Sequence, residues 1–163
     1  MCICVGPCRI DDMRRVWAIS ALAWTAVILA ITLSPEQPTD GGFVRDALAW
    51  WSERGLPAWV TYDLVEIAAN VVLFIPFGLF LALALSSRPR GSSSAEGAYR
   101  DLTLRVLWPT VLGLALTLTI EFIQHAFLPA RFATVSDLIA NTAGALLGAS
   151  LAVMNIRRRV RPQ

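Results

Sequence analysis

EFIQHAFLPARFATVSDLIANTAGALLG, residues 121–148, sets two carboxylates (Glu121, Asp137), the single histidine (His125), Arg131, Gln124 and Asn141 between runs apolar enough to cross a bilayer. A charged side chain at the centre of an inserted helix costs about 2.5–3.5 kcal/mol. A helical hairpin that turns around Pro129 keeps these groups in the turns nearest the membrane surface. This reading decides the fold.

Outward from that hairpin the composition agrees. Of 163 residues, 56% are hydrophobic and 16% are charged, and the mean hydropathy is +0.58. Soluble domains carry about 25% charged residues, so the chain reads as one integral membrane domain. All fourteen basic residues are arginine. They flank apolar spans and form no separate basic domain, which argues against nucleic-acid binding. Cys2, Cys4 and Cys8 precede anything periodic and lack the paired spacing of a metal site. No metal and no cofactor is expected. Residues 1–12 read as a non-structural N-terminal extension ahead of a natural start at Met13-Arg14-Arg15. Residues 13–156 form the membrane domain, and 157–163 a basic cytoplasmic tail.

Val16 to Leu33 is 18 residues without a charge, enough to cross a core about 30 Å thick. The rival reading is a cleaved signal peptide, but the run is long for one and no small-residue cleavage site follows. Ser34-Pro35-Glu36-Gln37-Pro38 ends it. FVRDALAWWSERG, from Phe43, follows Gly41-Gly42 and reads as a short amphipathic helix, either at the membrane interface or packed on the bundle. Leu64 to Leu85 is the second span, and Pro76, with Gly78 close by, is expected to bend it. Asp63, Glu66, Asn70, Phe74 and Phe77 recur at steps of three and four and share a face. Residues 86–103 read as a polar loop. Val106 to Leu128 is the third span, and Val135 to Met154 the fourth, with Thr134 as its N-cap. The expected fold is all-α: an integral membrane bundle of four transmembrane helices, with a short interfacial amphipathic helix between the first two.

The arginines orient it. With the N-terminus, the 86–105 loop and the C-terminus in the cytoplasm, eleven of the fourteen arginines lie inside; Arg45, Arg54 and Arg131 lie outside. Three separate segments then bring their polar groups to one depth in the outer leaflet. These are Asp63, Glu66 and Asn70 from the second span, Glu121, Gln124 and His125 from the third, and Asp137 and Asn141 from the fourth, with Arg131 between. On the fourth helix Asp137, Asn141, Gly144 and Gly148 fall within about 60° of one another. The two glycines form a GxxxG step that admits another backbone. Four carboxylates stand against one arginine, an imbalance relieved by protonation, a bound cation or a cationic ligand group. Asp63 and Asp137 read alternatively as helix caps in the wet interface. Glu121 lies near a helix C-terminus, where the dipole opposes it, and Arg131 is its expected partner.

At these residues the chain resembles the VanZ-like family of small bacterial membrane proteins. The resemblance rests on NVVLFIPFG from Asn70 to Gly78, on Glu121-x-x-Gln124, and on Arg131 through Asp137 to Asn141-Thr142-x-Gly144 and Gly148. It covers about residues 60–150. Ala130 stands where the pattern has glycine, and Thr134 where an acid is frequent. The resemblance implies a multi-pass protein of the bacterial cytoplasmic membrane, associated with low-level resistance to the glycopeptide teicoplanin. It implies no reaction. The leading expectation is a non-enzymatic envelope protein whose outward-facing polar pocket binds a lipid-linked envelope molecule or an amphiphilic antibiotic. The alternative is a membrane enzyme using Glu121 or Asp137 as acid/base, although HExxH, GxSxG and a Cys–His pair are all missing. A transporter would require an internal repeat or oligomerisation, and a structural scaffold would use the polar cluster for stability alone.

Overall fold

In the computed structural model, residues 8–34, 43–55, 57, 60–85, 95–127 and 135–160 are described. They form five helices: α1 (Cys8–Thr32), α2 (Phe43–Ser52), α3 (Tyr62–Ala84), α4 (Ala95–Phe127) and α5 (Val135–Val160). Among the described residues there is no strand. Four segments are long and apolar enough to cross a membrane: Asp12–Thr32, Tyr62–Ala84, Thr103–Phe127 and Val135–Asn155, of 21 to 25 residues each. At 1.5 Å per residue these reach about 31–38 Å, enough for the hydrocarbon core. The fold is therefore the expected all-α membrane bundle.

Some boundaries differ from the sequence reading. α1 starts at Cys8, so residues 8–12 are helical, while 1–7 lie outside the described residues. α4 begins at Ala95 and takes in much of the segment read as a loop, where Ala95, Glu96, Ala98 and Arg100 are strong helix formers. α5 runs past Met154 through the arginine triplet to Val160. α2 is too short to span. Trp50 and Trp51 are 52% and 58% exposed, and the Arg54 guanidinium lies 3.6 Å over the Trp50 ring. Rings held off the bundle favour the interfacial placement over a packed surface helix.

α3 and α5 form the centre because their glycines leave no side chain between the two backbones. Gly144 meets the carbonyl oxygen of Val71, Gly148 that of Ile75, and Gly78 that of Ala145. The contacts climb α3 and α5 together, so these two helices run parallel. This is the close approach that small residues four apart permit. α4 returns antiparallel against α5 through Gly113, where an added Cβ would come within 2.6 Å of the Ala145 Cβ. Ile28, Phe74, Phe77, Ile120 and Ala145 form the core, so each of the four spanning helices contributes to it. The opposite faces are apolar and open: Leu22, Val72, Phe122 and Ile139 are 63–71% exposed, as lipid-facing side chains are.

α1 packs antiparallel on α3. Phe80 stacks on Trp17 with centroids 5.9 Å apart and meets Trp24 edge-on at 6.5 Å. The Trp24 indole N–H donates to the Leu73 carbonyl at 2.9 Å. α3 runs unbroken through Pro76, which has no N–H for the Val72 carbonyl and whose ring crowds the preceding turn. In lipid no water can satisfy a backbone carbonyl loosened in this way, so a neighbouring helix must. Trp24 places its N–H on the Leu73 carbonyl, the neighbour of the Val72 carbonyl that loses its helix donor at the proline. Trp24→Phe keeps the ring and removes the N–H. It is expected to lower the unfolding free energy in detergent by about 1 kcal/mol, read as a drop in the thermal midpoint with insertion unchanged.

Candidate functional site

Hydroxyls along the spans are satisfied within their own helices. Thr25, Thr110, Thr117, Thr142 and Ser150 each donate to the carbonyl four residues back. The amides and carboxylates at one end of the bundle behave differently, because they reach between helices.

Asn70, half-buried in the third turn of α3, donates from Nδ2 to Asp137 Oδ1 of α5 at 2.6 Å. This bond ties the parallel pair together beyond the end of the glycine stripe. One turn further in on α5, Asn141 is 4% exposed and its Oδ1 has no hydrogen-bond partner among the described residues. The third contributor comes from α4. Counting eight residues from the Gly113–Ala145 contact along each antiparallel helix reaches Glu121 on one and Asp137 on the other, which places them at the same level. Glu121 is half-buried, and its Oε2 is shut away from solvent without a hydrogen-bond partner among the described residues. Phe74, fully buried, and Phe77 lie 6.1 Å apart in the hydrophobic core, further along α3 from Asn70.

The helices hold these groups for local reasons. Thr61 is the N-cap of α3, its hydroxyl accepting from the Leu64 N–H at 3.3 Å. That role was open to Asp63 in the sequence; Asp63 instead lies exposed in the first turn, where its charge complements the helix dipole. With the cap set at Thr61, Asn70 comes onto the face that meets α5. Asp137 occupies the first turn of α5, and Asn141 follows it by four residues on the same side.

The family model for VanZ/LLP1 matches residues 15–157, which include the whole polar cluster and all but the first residues of α1. The chain belongs to the VanZ/LLP1 family. The match extends beyond the 60–150 segment that carried the resemblance and shows α1 to be part of the family's domain. No curated protein and no solved structure matches the chain.

Not every polar residue of this VanZ/LLP1 bundle joins the cluster. Gln124 is buried, and its Nε2 donates to the Thr32 carbonyl at the end of α1 at 2.8 Å, so it fastens α1 to α4. Glu66 is half-buried on α3, and His125 is exposed. Arg131, its expected pairing with Glu121, and the Thr134 cap lie outside the described residues. Among the described residues, no group of three or more His, Cys, Asp or Glu side chains is placed to hold a metal ion.

Two placements escaped the sequence reading. Arg105, counted there with the loop arginines, is only 8% exposed on α4 at the far end of the bundle. Trp24 had a signal: a tryptophan in mid-span lies away from the interfacial belts where tryptophans concentrate, and a buried indole N–H calls for an acceptor.

Proposed function

We propose that this multi-pass VanZ/LLP1 protein binds an envelope lipid or an amphiphilic antibiotic at the Asn70–Glu121–Asp137–Asn141 cluster and thereby lowers susceptibility to glycopeptides such as teicoplanin. The observation that carries the reading is the pair of buried oxygens on Glu121 and Asn141 that have no hydrogen-bond partner among the described residues, at the same end of the bundle as the Asn70–Asp137 bond. Buried polar atoms without partners are rare and costly. Two of them at one end of the bundle support a binding site there. The arginine distribution supports placing that end at the outer face of the bacterial cytoplasmic membrane, with both termini cytoplasmic. Envelope precursors and glycopeptides are encountered on that face.

The test is expression in a teicoplanin-susceptible host. The native chain is expected to raise the inhibitory concentration, and Glu121→Gln, at equal abundance in the membrane, to remove most of that rise. No rise with intact, inserted protein would sink the resistance reading. The buried carboxyl oxygen of Glu121 also favours a second reading, acid/base catalysis on a lipid-linked substrate. A covalent change in the lipid fraction that Glu121→Gln abolishes would establish it in place of simple binding.

A further inference from the structure

The end of the bundle opposite the polar cluster gathers cations. Arg14, exposed on α1, donates from Nε to the Ala84 carbonyl at 3.2 Å. Ala84 closes α3, whose last turn has no basic residue of its own, and the negative end of a helix dipole attracts cations. On α4, Arg105 is 8% exposed, and the next residue, Val106, packs on the buried Ala82, Ala149 and Ala152. Two arginines from different helices thus come to the level of α3's last turn. A second register agrees. Gln124 of α4 meets Thr32 of α1 at the other end, and these two helices run in the same direction. Counting eighteen residues back from each reaches Val106 and Arg14. Arg14 and Arg105 are each the third residue of their spans, Asp12–Thr32 and Thr103–Phe127. At 1.5 Å per residue they lie about 3 Å inside the apolar segment's edge, next to the layer of lipid phosphates.

The charge at this end does not depend on how individual groups pair. Residues 8–15, 95–105 and 155–160 hold eight arginines and four acids, Asp11, Asp12, Glu96 and Asp101. Residues 1–7, 86–94 and 161–163 add three arginines and no acid. Eleven arginines therefore stand against four acids whichever ion pairs form, and a neutral carbonyl such as that of Ala84 cancels none of the excess. We infer that this end binds an anionic phospholipid, whose phosphodiester is taken by the Arg14 guanidinium beside the last turn of α3, with the buried Arg105 charge at the same level. A guanidinium meets phosphate oxygens with paired N–H donors. The bond from Nε to Ala84 holds that group in place before the lipid arrives, which lowers the entropy lost on binding. Burial shields the Arg105 charge from salt. Basic sites between transmembrane helices suit anionic headgroups. Choline and ethanolamine lipids carry the same phosphate with a cation attached, which a net-positive site disfavours.

The full chain is reconstituted in phosphatidylcholine nanodiscs containing phosphatidylglycerol, and the lipid it retains on release is measured by native mass spectrometry. The native protein is expected to be enriched in phosphatidylglycerol. Arg14→Gln is expected to cut that enrichment about fivefold, the worth of one basic residue near an anionic surface. Arg105→Gln is expected to cut it as well. Arg15→Gln, which removes an equal charge from the exposed neighbouring residue, is expected to leave most of it. Arg14 is exposed, so its variant tests the inference even where Arg105→Gln fails to fold. Absence of enrichment in the native protein would overturn the inference. So would equal losses in the Arg14 and Arg15 variants, because the preference would then be diffuse surface charge. Inorganic phosphate in the buffer separates the sources. Phosphatidylglycerol that it cannot displace supports the lipid, and displacement at millimolar phosphate would overturn the inference in favour of a soluble phosphate compound.

Discussion

Gly148→Leu is expected to leave the chain inserted in the membrane and to abolish its folded bundle. The substitution makes the last span more apolar, so insertion gains. The α3/α5 contact cannot survive it. A Cβ at residue 148 would lie on the Ile75 carbonyl oxygen, with Leu79 N at 2.8 Å and Ile75 C at 2.9 Å. All three neighbours are backbone, so none can swing aside as a side-chain end would. Overpacking a dense interior by small groups costs about 1–3 kcal/mol. A leucine set into helix backbone exceeds that, against a total stability of about 5–15 kcal/mol. Gly148→Ala is the graded form, expected to lower the thermal midpoint in detergent without complete loss. Size-exclusion profiles of heated, solubilised protein would check both. A Gly148→Leu protein with a native midpoint would contradict the close approach of the two backbones.

The second large effect is expected where stability and function separate. Asn70→Asp places two carboxylates where a 2.6 Å amide–carboxylate bond now stands, and their repulsion is expected to destabilise the α3/α5 end. Asp137→Asn leaves two amides that can still bond, but removes the charge beside Glu121. Hydrogen bonds between helices in membranes are modest, about 0.6 kcal/mol on average, so its thermal midpoint should move little while protection from teicoplanin is lost. Combining the two exchanges the partners and restores one carboxylate–amide bond. The double variant is expected to recover the midpoint lost by Asn70→Asp yet remain inactive, because its charge has moved from α5 to α3. Recovery of protection together with stability would mean that the cluster only holds the helices together.

The sequence carried the spans, the amphipathic helix and the convergence of polar residues at one end, because each depends on length, periodicity or the arginine distribution. It also marked Gly144 and Gly148 as a seam, although nothing in a single stripe reveals which backbone fills it. The alternating topology makes the second and fourth spans parallel, and the contacts of Val71 and Ile75 with the glycines show that α3 fills the seam. Gln124 shows a similar limit. Its position among polar residues suggested the cluster, but an amide a turn from a helix end can reach several acceptors, and Thr32 on α1 provides a buried one. Of the nine polar positions read as candidates, Asn70 and Asp137 are joined by a bond, and Asn141 and one carboxyl oxygen of the half-buried Glu121 are shut away at the same end. Asp63 and His125 remain at the surface, where no packing constrains them and periodicity carries no information about partners.

The parallel seam also fixes an order of events during synthesis. Chains enter the membrane from the N-terminus, so α1 is already in place when α3 arrives, and Trp24 can meet the Leu73 carbonyl beside Pro76 at once. The other side of α3, with Gly78 bare, must wait until more than sixty residues later, when Ala145 and Gly148 have been made. Until then α3 holds an unfilled backbone groove in the bilayer. A ribosome stalled anywhere between these points leaves a half-built protein whose most adhesive surface is uncovered, so the glycines that complete the bundle also time its vulnerability to membrane proteases.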